Sequence, residues 1–304
     1  MDLDKVRAKK SEYADYMGNT IKSVIAECGT RFSGSQGEKE AALYLEKELA
    51  KYADETKVES FEVRPDSFYG WAPWSVSFIL LSIAALFLMP IASIALLIAA
   101  LVPMLSTFIM YRTTFDRFYK KQESHNVTAV RMPQGEVKRA VYFSGHLDAA
   151  KEWTLNFKFG GKFMTAAVVI SFLSIVYVFA VALYSVIALP KAGLTFAGNI
   201  DMGLRLYLCF ASLIFVPSIF SVYFLSHSKR VVDGANDNLS GCLLATSLFK
   251  ALKDNGIEFK HTKIGVILTG SEETGLRGAM AWAKAHREEC LAIPTEIFSF
   301  DTIT

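Results

Sequence analysis

The sequence is poor in cysteine and in charge. Its 304 residues include four cysteines, no two of them in CxxC spacing. This pattern excludes a disulfide framework and a thiolate zinc site, and it is compatible with a reducing compartment. Charged residues make up 20% of the chain and the net charge is only +2. No broad polyelectrolyte surface exists, so nucleic acid is excluded as a partner.

The sequence also lacks a recognisable signal peptide, internal repeat or low-complexity tract. The N-terminus, MDLDKVRAKKSEYADY, is polar and charged, and the first long apolar block begins only at Trp74. Hydrophobic residues nevertheless make up 52% of the chain, and the mean hydropathy is +0.30. This excess argues against a disordered chain and against a purely soluble protein.

The apolar excess lies in uncharged blocks at 74–111, 163–190 and 206–226. A membrane-spanning helix needs about 20 apolar residues, so the second and third blocks each suit one pass. The first block is too long for one upright helix and has Pro90 near its middle. It predicts two helices, 74–89 and 91–111, joined by a turn at Pro90. One long kinked helix, or a buried pair of core helices, is the alternative.

These blocks predict a transmembrane hairpin at 74–111 and two further transmembrane helices with a short loop at 163–226. With two passes in each insertion, the polar segments 1–70, 112–162 and 227–304 emerge on one side of the membrane and can fold together. The basic residues that flank the membrane on this side are Arg64, Arg112, Arg117, Lys120, Lys121, Lys158, Lys162, Lys229 and Arg230.

The loop 191–205 on the opposite side contributes only Lys191 and Arg205. The positive-inside rule therefore predicts a multi-pass protein with a cytoplasmic polar domain, in the plasma membrane if the source is bacterial. The alternative is that some of these basic residues simply solvate the surface of the domain.

The polar segments alternate between strand and helix patterns. Ser35 and Glu38 form a capping-box pattern at the start of an amphipathic helix that reaches Lys51. The remaining predicted elements are strands at 57–63, 139–144, 263–269 and 296–300 and helices at 240–252 and 277–287. This alternation predicts an α/β fold, with a mostly parallel sheet and helices on both faces.

Ligand-type side chains follow the predicted strands or precede a helix, in the motifs SGHLDA, GANDNLSG, TGSEETG and SFDTI. They are His146, Asp148, Asp237, Glu272, Glu273 and Asp301. Each motif alone is typical of a polar strand end, a helix cap or a solvated loop. Together they place an imidazole and several carboxylates at one sheet edge, where they would repel one another without a cation. This donor set suits zinc better than manganese or cobalt.

The spacing within two motifs indicates that neighbouring side chains have different roles. His146 and Asp148 point to the same side of an extended chain, so Asp148 can accept the second imidazole N–H. The adjacent Glu272 and Glu273 point in different directions, so one can bind the metal while the other acts as a base.

These motifs, with GTRFSGSQGEKEAALYLEKEL near the N-terminus and NVTAV at 126–130, closely resemble the co-catalytic di-zinc aminopeptidase family. That family includes bacterial leucyl aminopeptidases, glutamate carboxypeptidase relatives and zinc glutaminyl cyclases. The resemblance covers essentially all of the sequence outside the apolar blocks. It implies that 1–70, 112–162 and 227–304 are parts of one peptidase domain, interrupted by the membrane segments.

The resemblance also implies the roles of individual residues. His146 and Asp301 would bind a first zinc ion, Glu273 a second, and Asp237 both. Glu272 would be the general base that generates a metal-bridging hydroxide.

Asp148 would orient the imidazole of the first zinc site. Asn236 occupies a position that is often Asp in the family, and this change should remove no ligand.

Two departures from the family pattern stand out. The family's second zinc takes a histidine from downstream of the last aspartate, whereas this sequence ends at Thr304. The other histidines, at positions 125, 227, 261 and 286, do not match it. We therefore expect either a fragment that lacks the C-terminal part of the domain or a second metal that is weakly held or absent. The membrane insertions inside the domain are the second departure.

The sequence thus predicts a membrane-bound zinc aminopeptidase that acts on peptide substrates and is embedded in a lipid bilayer. The alternative is a catalytically inactive membrane scaffold with a degenerate or truncated peptidase domain. Glutaminyl cyclisation and carboxypeptidase activity also remain open. A transporter is disfavoured, because the apolar blocks contain no ionisable residue.

Overall fold

The computed structural model describes residues 3–188, 202–226 and 229–303. The chain divides into two compact units, named here the sheet unit and the helical unit. The sheet unit comprises Met1–Pro65, Lys120–Lys151 and Val231–Thr304. The helical unit comprises Asp66–Tyr119 and Glu152–Arg230. Most of the predicted 191–205 loop, including Lys191, lies outside the described residues.

The sheet unit contains a five-stranded sheet of mixed direction. Its strands are β1 (Glu55–Val63), β2 (Gln122–Arg131), β3 (Arg139–His146), β4 (Thr262–Thr269) and β5 (Thr295–Ser299), in the order β1-β2-β4-β3-β5. β3 runs parallel to β4 and β5, whereas β2 is antiparallel to both β1 and β4. The fold is therefore mixed α/β, and the prediction of a mostly parallel sheet was wrong for β1 and β2.

The antiparallel pairing of β1 and β2 follows from how the chain leaves and re-enters the sheet unit. Val63 at the end of β1 pairs with Gln122 at the start of β2. The intervening segment, 66–119, belongs to the helical unit, so the chain returns next to where it left and must run in the opposite direction. The second insertion behaves in the same way, because Lys151 and Val231 form an antiparallel bridge.

Helices cover both faces of the sheet. The main core packs alternate side chains of β4, such as Val266 and Leu268, against the helices Lys10–Cys28, Gln36–Ala50 and Ser240–Asp254. On the other face, Ile267 packs with Trp282 of the helix Arg277–Ala285. This alternation is the period-two pattern of a strand buried on both sides.

The N-terminus of the helix Gln36–Ala50 is capped by Ser35, whose hydroxyl accepts the backbone N–H of Glu38 at 3.2 Å. The reciprocal half of a capping box is not formed with Ser35. Glu38 turns inward instead and accepts the N–H of Gly34 at 2.8 Å. The carboxylate thereby enters the interior of the sheet unit.

The helical unit is built from long apolar helices. Four segments are long and apolar enough to cross a membrane: Pro65–Leu88, Pro90–Ile109, Gly161–Ile187 and Gly203–Val222. Side chains such as Ile83, Leu97 and Ala182 form a common core. Pro90 occupies the first position of its helix, where its missing N–H costs no hydrogen bond.

Arg205 departs from the prediction that placed it in a loop outside the membrane blocks. It lies in the helix Met202–Ala211 and is buried. Its Nη2 donates to the carbonyls of Leu86 at 2.9 Å and Phe87 at 3.2 Å. These carbonyls lie in the last turn of the helix Trp71–Leu88, where they lack intrahelical partners and attract a cation. An ionisable residue is therefore present inside a candidate membrane span.

Candidate metal centre

The predicted site residues are carried by the carboxyl ends of neighbouring strands and the loops beyond them. His146 ends β3 and pairs with Thr269, which ends β4. Glu272 and Glu273 follow in the next loop. Because parallel strands end at the same sheet edge, these segments meet there.

Two further predicted residues, Asp301 and Asp237, also lie near this edge. Asp301 lies just beyond β5, which pairs with β3. Asp237 precedes the helix Ser240–Asp254. Elements distant in sequence therefore contribute to one edge.

The side chains converge on the imidazole of His146. Its Nε2 lies 3.1 Å from Asp237 Oδ1, 3.7 Å from Glu272 Oε2 and 4.0 Å from Asp301 Oδ1. One ligand atom each from His146, Asp237 and Glu273 lies within 4.8 Å of the other two. In the described part of the chain, this is the one group of three or more such side chains with metal-binding spacing.

Two buried atoms in this cluster make no hydrogen bond of good geometry: Glu273 Oε1, and His146 Nε2, whose nearest carboxylate oxygen, of Asp237, lies 3.1 Å away. A buried polar atom without a partner is costly, and such atoms in native proteins usually mark a bound ion or a functional group. One imidazole nitrogen together with carboxylate oxygens is a donor set that zinc binds. The residues present therefore fit a zinc ion.

The cluster is electrostatically unusual as it stands. Burial lowers the pKa of His146, but the nearby Asp148 and Asp237 carboxylates raise it more strongly, to about 11. Burial raises the pKa of Glu273 to about 8, and the neighbouring aspartates add to this effect. Burial also raises the pKa of Glu272. Without a cation, the cluster therefore retains protons that a metal ion would displace.

Asp148 makes more contacts than the sequence predicts. It is fully buried, and its Oδ1 lies 3.4 Å from His146 Nδ1. The same carboxylate accepts the backbone N–H groups of Glu272 at 3.0 Å and Glu273 at 3.2 Å, and the hydroxyl of Ser33 at 2.9 Å. Asp148 therefore links the end of β3 to the loop that carries both glutamates.

Arg31 is a structural support for the site that sequence reasoning did not single out. Its side chain is fully buried. Nε donates to the carbonyl of Leu147 at 2.9 Å, and Nη2 donates to the carbonyls of Asp233 at 2.7 Å and Gly234 at 3.1 Å. It therefore fixes the backbone next to His146 and just before Asp237. Its position in the family-like motif GTRFSGSQGE is the one sequence feature that could have drawn attention to Arg31.

Asn238 is a second support of this kind. Its Nδ2 donates to the carbonyl of Phe300 at 2.8 Å, and its Oδ1 accepts the N–H of Gly241 at 3.1 Å. These bonds connect the Asp237 loop to the residue before Asp301. Two of the predicted ligands are thereby held together through their backbones.

The other histidines lie elsewhere. His125 is in β2, His261 directly precedes β4, and His286 contacts Glu59 at 2.8 Å. None of these three is in the metal-binding group. His227 lies outside the described residues.

Comparison with known proteins confirms the resemblance that the motifs indicated. Residues 221–300 match the model of Peptidase family M28, a segment that contains Asp237, Glu272 and Glu273. In this segment the chain is similar to Peptidase family M28, and this supports a metallopeptidase. No curated protein matches the chain in sequence.

Several solved structures are similar to this chain at low sequence identity. The aminopeptidase from Aneurinibacillus sp. strain AM-1 is 13% identical with a TM-score of 0.50, covering 100% of this chain and 73% of that one. A zinc aminopeptidase from Bacillus subtilis is 13% identical, TM-score 0.48, covering 95% and 69%. The Fimbriiglobus ruber glutaminyl cyclase is 11% identical, TM-score 0.45, covering 94% of this chain and only 59% of its own length. At 13% identity, the likeness to the Aneurinibacillus aminopeptidase shows the fold alone.

Proposed function

We propose that this chain is a membrane-bound zinc metallopeptidase that removes N-terminal residues from peptides. The observation that carries the proposal is the convergence of His146, Asp237 and Glu273, with two buried ligand atoms that make no hydrogen bond of good geometry. The family M28 match of residues 221–300 supports the same reaction class.

In this proposal, His146, Asp237 and Asp301 hold a first zinc ion, and Asp237 and Glu273 hold a second. Bound zinc would supply Lewis-acid polarisation of the scissile carbonyl. The side chain of Asp237 is 53% exposed and that of Asp301 58% exposed, so the ligand cluster is open to a substrate. His146, by contrast, is buried and fixes the position of the cluster.

Glu272 is the proposed general base. Its carboxylate lies within 3.7 Å of the central imidazole but remains partly exposed, so it can reach an attacking water molecule. Burial raises its pKa above the ordinary value, which makes it a better proton acceptor near neutral pH. It would take a proton from the water molecule and deliver it to the leaving amine.

The proposal also includes two transmembrane helical hairpins. Each insertion leaves and re-enters the sheet unit at paired residues, Val63 with Gln122 and Lys151 with Val231. A chain that returns to its starting point must cross the bilayer an even number of times. The four apolar segments supply two crossings for each insertion.

The surface of the helical unit supports the same proposal. Large apolar side chains that remain exposed on it include Leu81, Ile98, Val176, Ile187 and Ile214. Such a surface is unusual in water but suited to lipid. The excess of basic residues flanking the spans supports a cytoplasmic sheet unit, which a fluorescent reporter fused after Thr304 would test.

The decisive experiment uses the full chain purified in detergent and assayed with aminoacyl p-nitroanilides. We expect hydrolysis of substrates with a free amine, loss of activity on chelation, and recovery with added zinc. N-acetylated substrates serve as the control and should not be cleaved. Zinc analysis of the same sample counts the bound ions.

Other outcomes would replace this proposal with an alternative. A chain that binds no zinc, and whose folding is unaffected by a chelator, would be a membrane scaffold. Cyclisation of an N-terminal glutaminyl peptide without hydrolysis would indicate a glutaminyl cyclase. Release of C-terminal residues would indicate a carboxypeptidase.

A further inference from the structure

Glu38 is a buried carboxylate outside the metal centre. It lies in the first turn of the helix Gln36–Ala50 and is fully inaccessible to solvent. Burying a carboxylate is costly unless hydrogen-bond donors satisfy it. Glu38 does not belong to the group with metal-binding spacing, so its burial requires another explanation.

The partners of Glu38 belong to three separate segments. Oε2 accepts the N–H of Gly34 at 2.8 Å. Oε1 accepts the hydroxyl of Ser124, in β2, at 2.8 Å and the backbone N–H of Ser271 at 2.9 Å. The hydroxyl of Ser271 completes the group by donating to Ser124 at 2.8 Å. One carboxylate therefore connects a helix start, a strand and the loop after β4.

Ser271 is the residue immediately before Glu272, and its φ is 55°. A residue with a Cβ adopts this left-handed conformation at a cost and keeps it only where the surroundings hold it in place. The bond from its N–H to Glu38 is such a constraint. The preceding Gly270 permits the close approach, because a Cβ there would lie 2.6 Å from Glu38 Oε1.

The loop is thus anchored by two buried carboxylates at successive residues. Glu38 holds the N–H of Ser271, and Asp148 holds the N–H groups of Glu272 and Glu273. Asp148 also contacts the metal-centre imidazole. Within the described residues, Glu38 makes no hydrogen bond to that imidazole or to a predicted ligand side chain, and it reaches the loop through Ser271.

We propose that Glu38 is a positioning residue that fixes the left-handed turn at Ser271 and thereby directs the carboxylates of Glu272 and Glu273 towards the metal centre. The kinetic part of this inference rests on the proposed peptidase function. The structural part, a constraint on the loop, does not.

The structural part is tested by hydrogen exchange on the metal-free full chain. In Glu38→Gln, an NH2 group replaces one acceptor oxygen and faces a backbone N–H, so one anchor is lost. We expect amides in 270–276 to exchange about tenfold faster relative to those of β4, as the loss of a hydrogen bond implies. Leu49→Ala, a core change on the same helix, is the matched control and should leave this ratio unchanged.

The kinetic part is tested on the zinc-loaded chain. We expect Glu38→Gln to lower kcat about 10- to 100-fold, because small misplacements of reacting groups are costly, with KM changed less than twofold and zinc content unchanged. The acid limb of the pH profile should also shift, because the environment of the base changes. Leu49→Ala should lower the unfolding midpoint but keep the wild-type kcat and pH profile.

The exchange result tests the positioning role of Glu38, and the activity of the wild-type chain tests the proposed peptidase function. Wild-type exchange across 270–276 in a folded Glu38→Gln variant would overturn the positioning role, whatever the activity. A wild-type chain that hydrolyses no substrate would overturn the proposed function and leave the exchange test standing.

If Glu38→Gln does not fold, Ser124→Ala is the second variant. It removes one partner of the carboxylate and should give a smaller acceleration of amide exchange in residues 270–276. No acceleration there would also overturn the role.

Discussion

Asp148 accepts the backbone N–H of Glu272 at 3.0 Å, although the whole second insertion and β4 lie between the two residues in sequence. The bond joins the HLD motif at the end of β3 to the loop after β4. The proposed general base and the buried histidine therefore share one supporting carboxylate. A change at Asp148 should disturb both.

We accordingly expect Asp148→Asn to weaken zinc binding about 10- to 100-fold, the usual cost of losing a residue that orients a ligand. The amide retains one acceptor oxygen, so it can hold only one of the two N–H groups of Glu272 and Glu273. Zinc titration calorimetry gives the affinity. Asp54→Asn is the control, because Asp54 also accepts a backbone N–H, from Met132, at an exposed position. Equal affinities in both variants would contradict the expectation.

Glu272→Gln should reduce kcat by about 10²- to 10⁴-fold, the usual contribution of a general base. Since Glu272 is not a proposed ligand, the zinc content should stay at the wild-type value. Steady-state kinetics and metal analysis on the same preparation check both statements. The exposed Glu288→Gln is the control for the loss of one negative charge. Wild-type kcat in Glu272→Gln would remove the assignment of the base.

Zinc affinity should rise with pH. The pKa of His146 is raised to about 11 and that of Glu273 to about 8, so at pH 7 both groups retain protons that must leave when a cation binds. Apparent affinity should therefore increase at least about tenfold per pH unit between pH 6 and 8. Calorimetry in buffers of different ionisation enthalpy measures the released protons. Zinc binding that releases no proton would show that His146 and Glu273 do not retain these protons at pH 7.

Arg205→Ala should destabilise the helical unit by about 1–3 kcal/mol, because two helix-end carbonyls lose a charged donor. Those carbonyls, of Leu86 and Phe87, are bonded to Nη2. Thermal unfolding in detergent provides the measurement. Arg112→Ala changes an exposed arginine of the same unit and should leave the midpoint unchanged. Equal midpoints for the two variants would show that the buried bonds contribute nothing.

The strands that are easiest to predict from sequence are those with apolar runs. β3 and β4 read as RAVYFS and KIGVILT, and the structure places them side by side. Their ends carry His146 and the Glu272–Glu273 pair, so the position of these groups at one sheet edge follows from sequence pattern and the geometry of parallel strands.

β2 was not predicted as a strand, and its composition explains why. Ser124, Asn126 and Thr128 are buried polar residues at alternate positions, so the strand lacks the continuous apolar run of a strand buried on both faces. Each is satisfied by a distant partner: Ser124 by Glu38, Asn126 by the Gly278 carbonyl, and Thr128 by Trp282. Only the tertiary fold brings these partners together.

Arg31 and Glu38 illustrate the same limit for the site. Both belong to a motif that the sequence marked as family-like, but the partners that connect them to the site, such as Ser271 for Glu38, lie far along the chain. The carbonyls that Arg31 binds follow His146 and precede Asp237, far along the chain. Contacts of this kind depend on loop closure over long separations, which residue spacing cannot specify.

The strand order has a consequence for biosynthesis. β4 lies between β2 and β3, but it is translated after both of them and after the whole second insertion. While the ribosome is still making residues 152–230, β1 and β2 can form only a two-stranded ribbon, which is marginal in water, and β3 has no neighbour. The apolar helices of both insertions must therefore be synthesised before the sheet can close. Newly made N-terminal segments are exposed to chaperones and proteases during that interval.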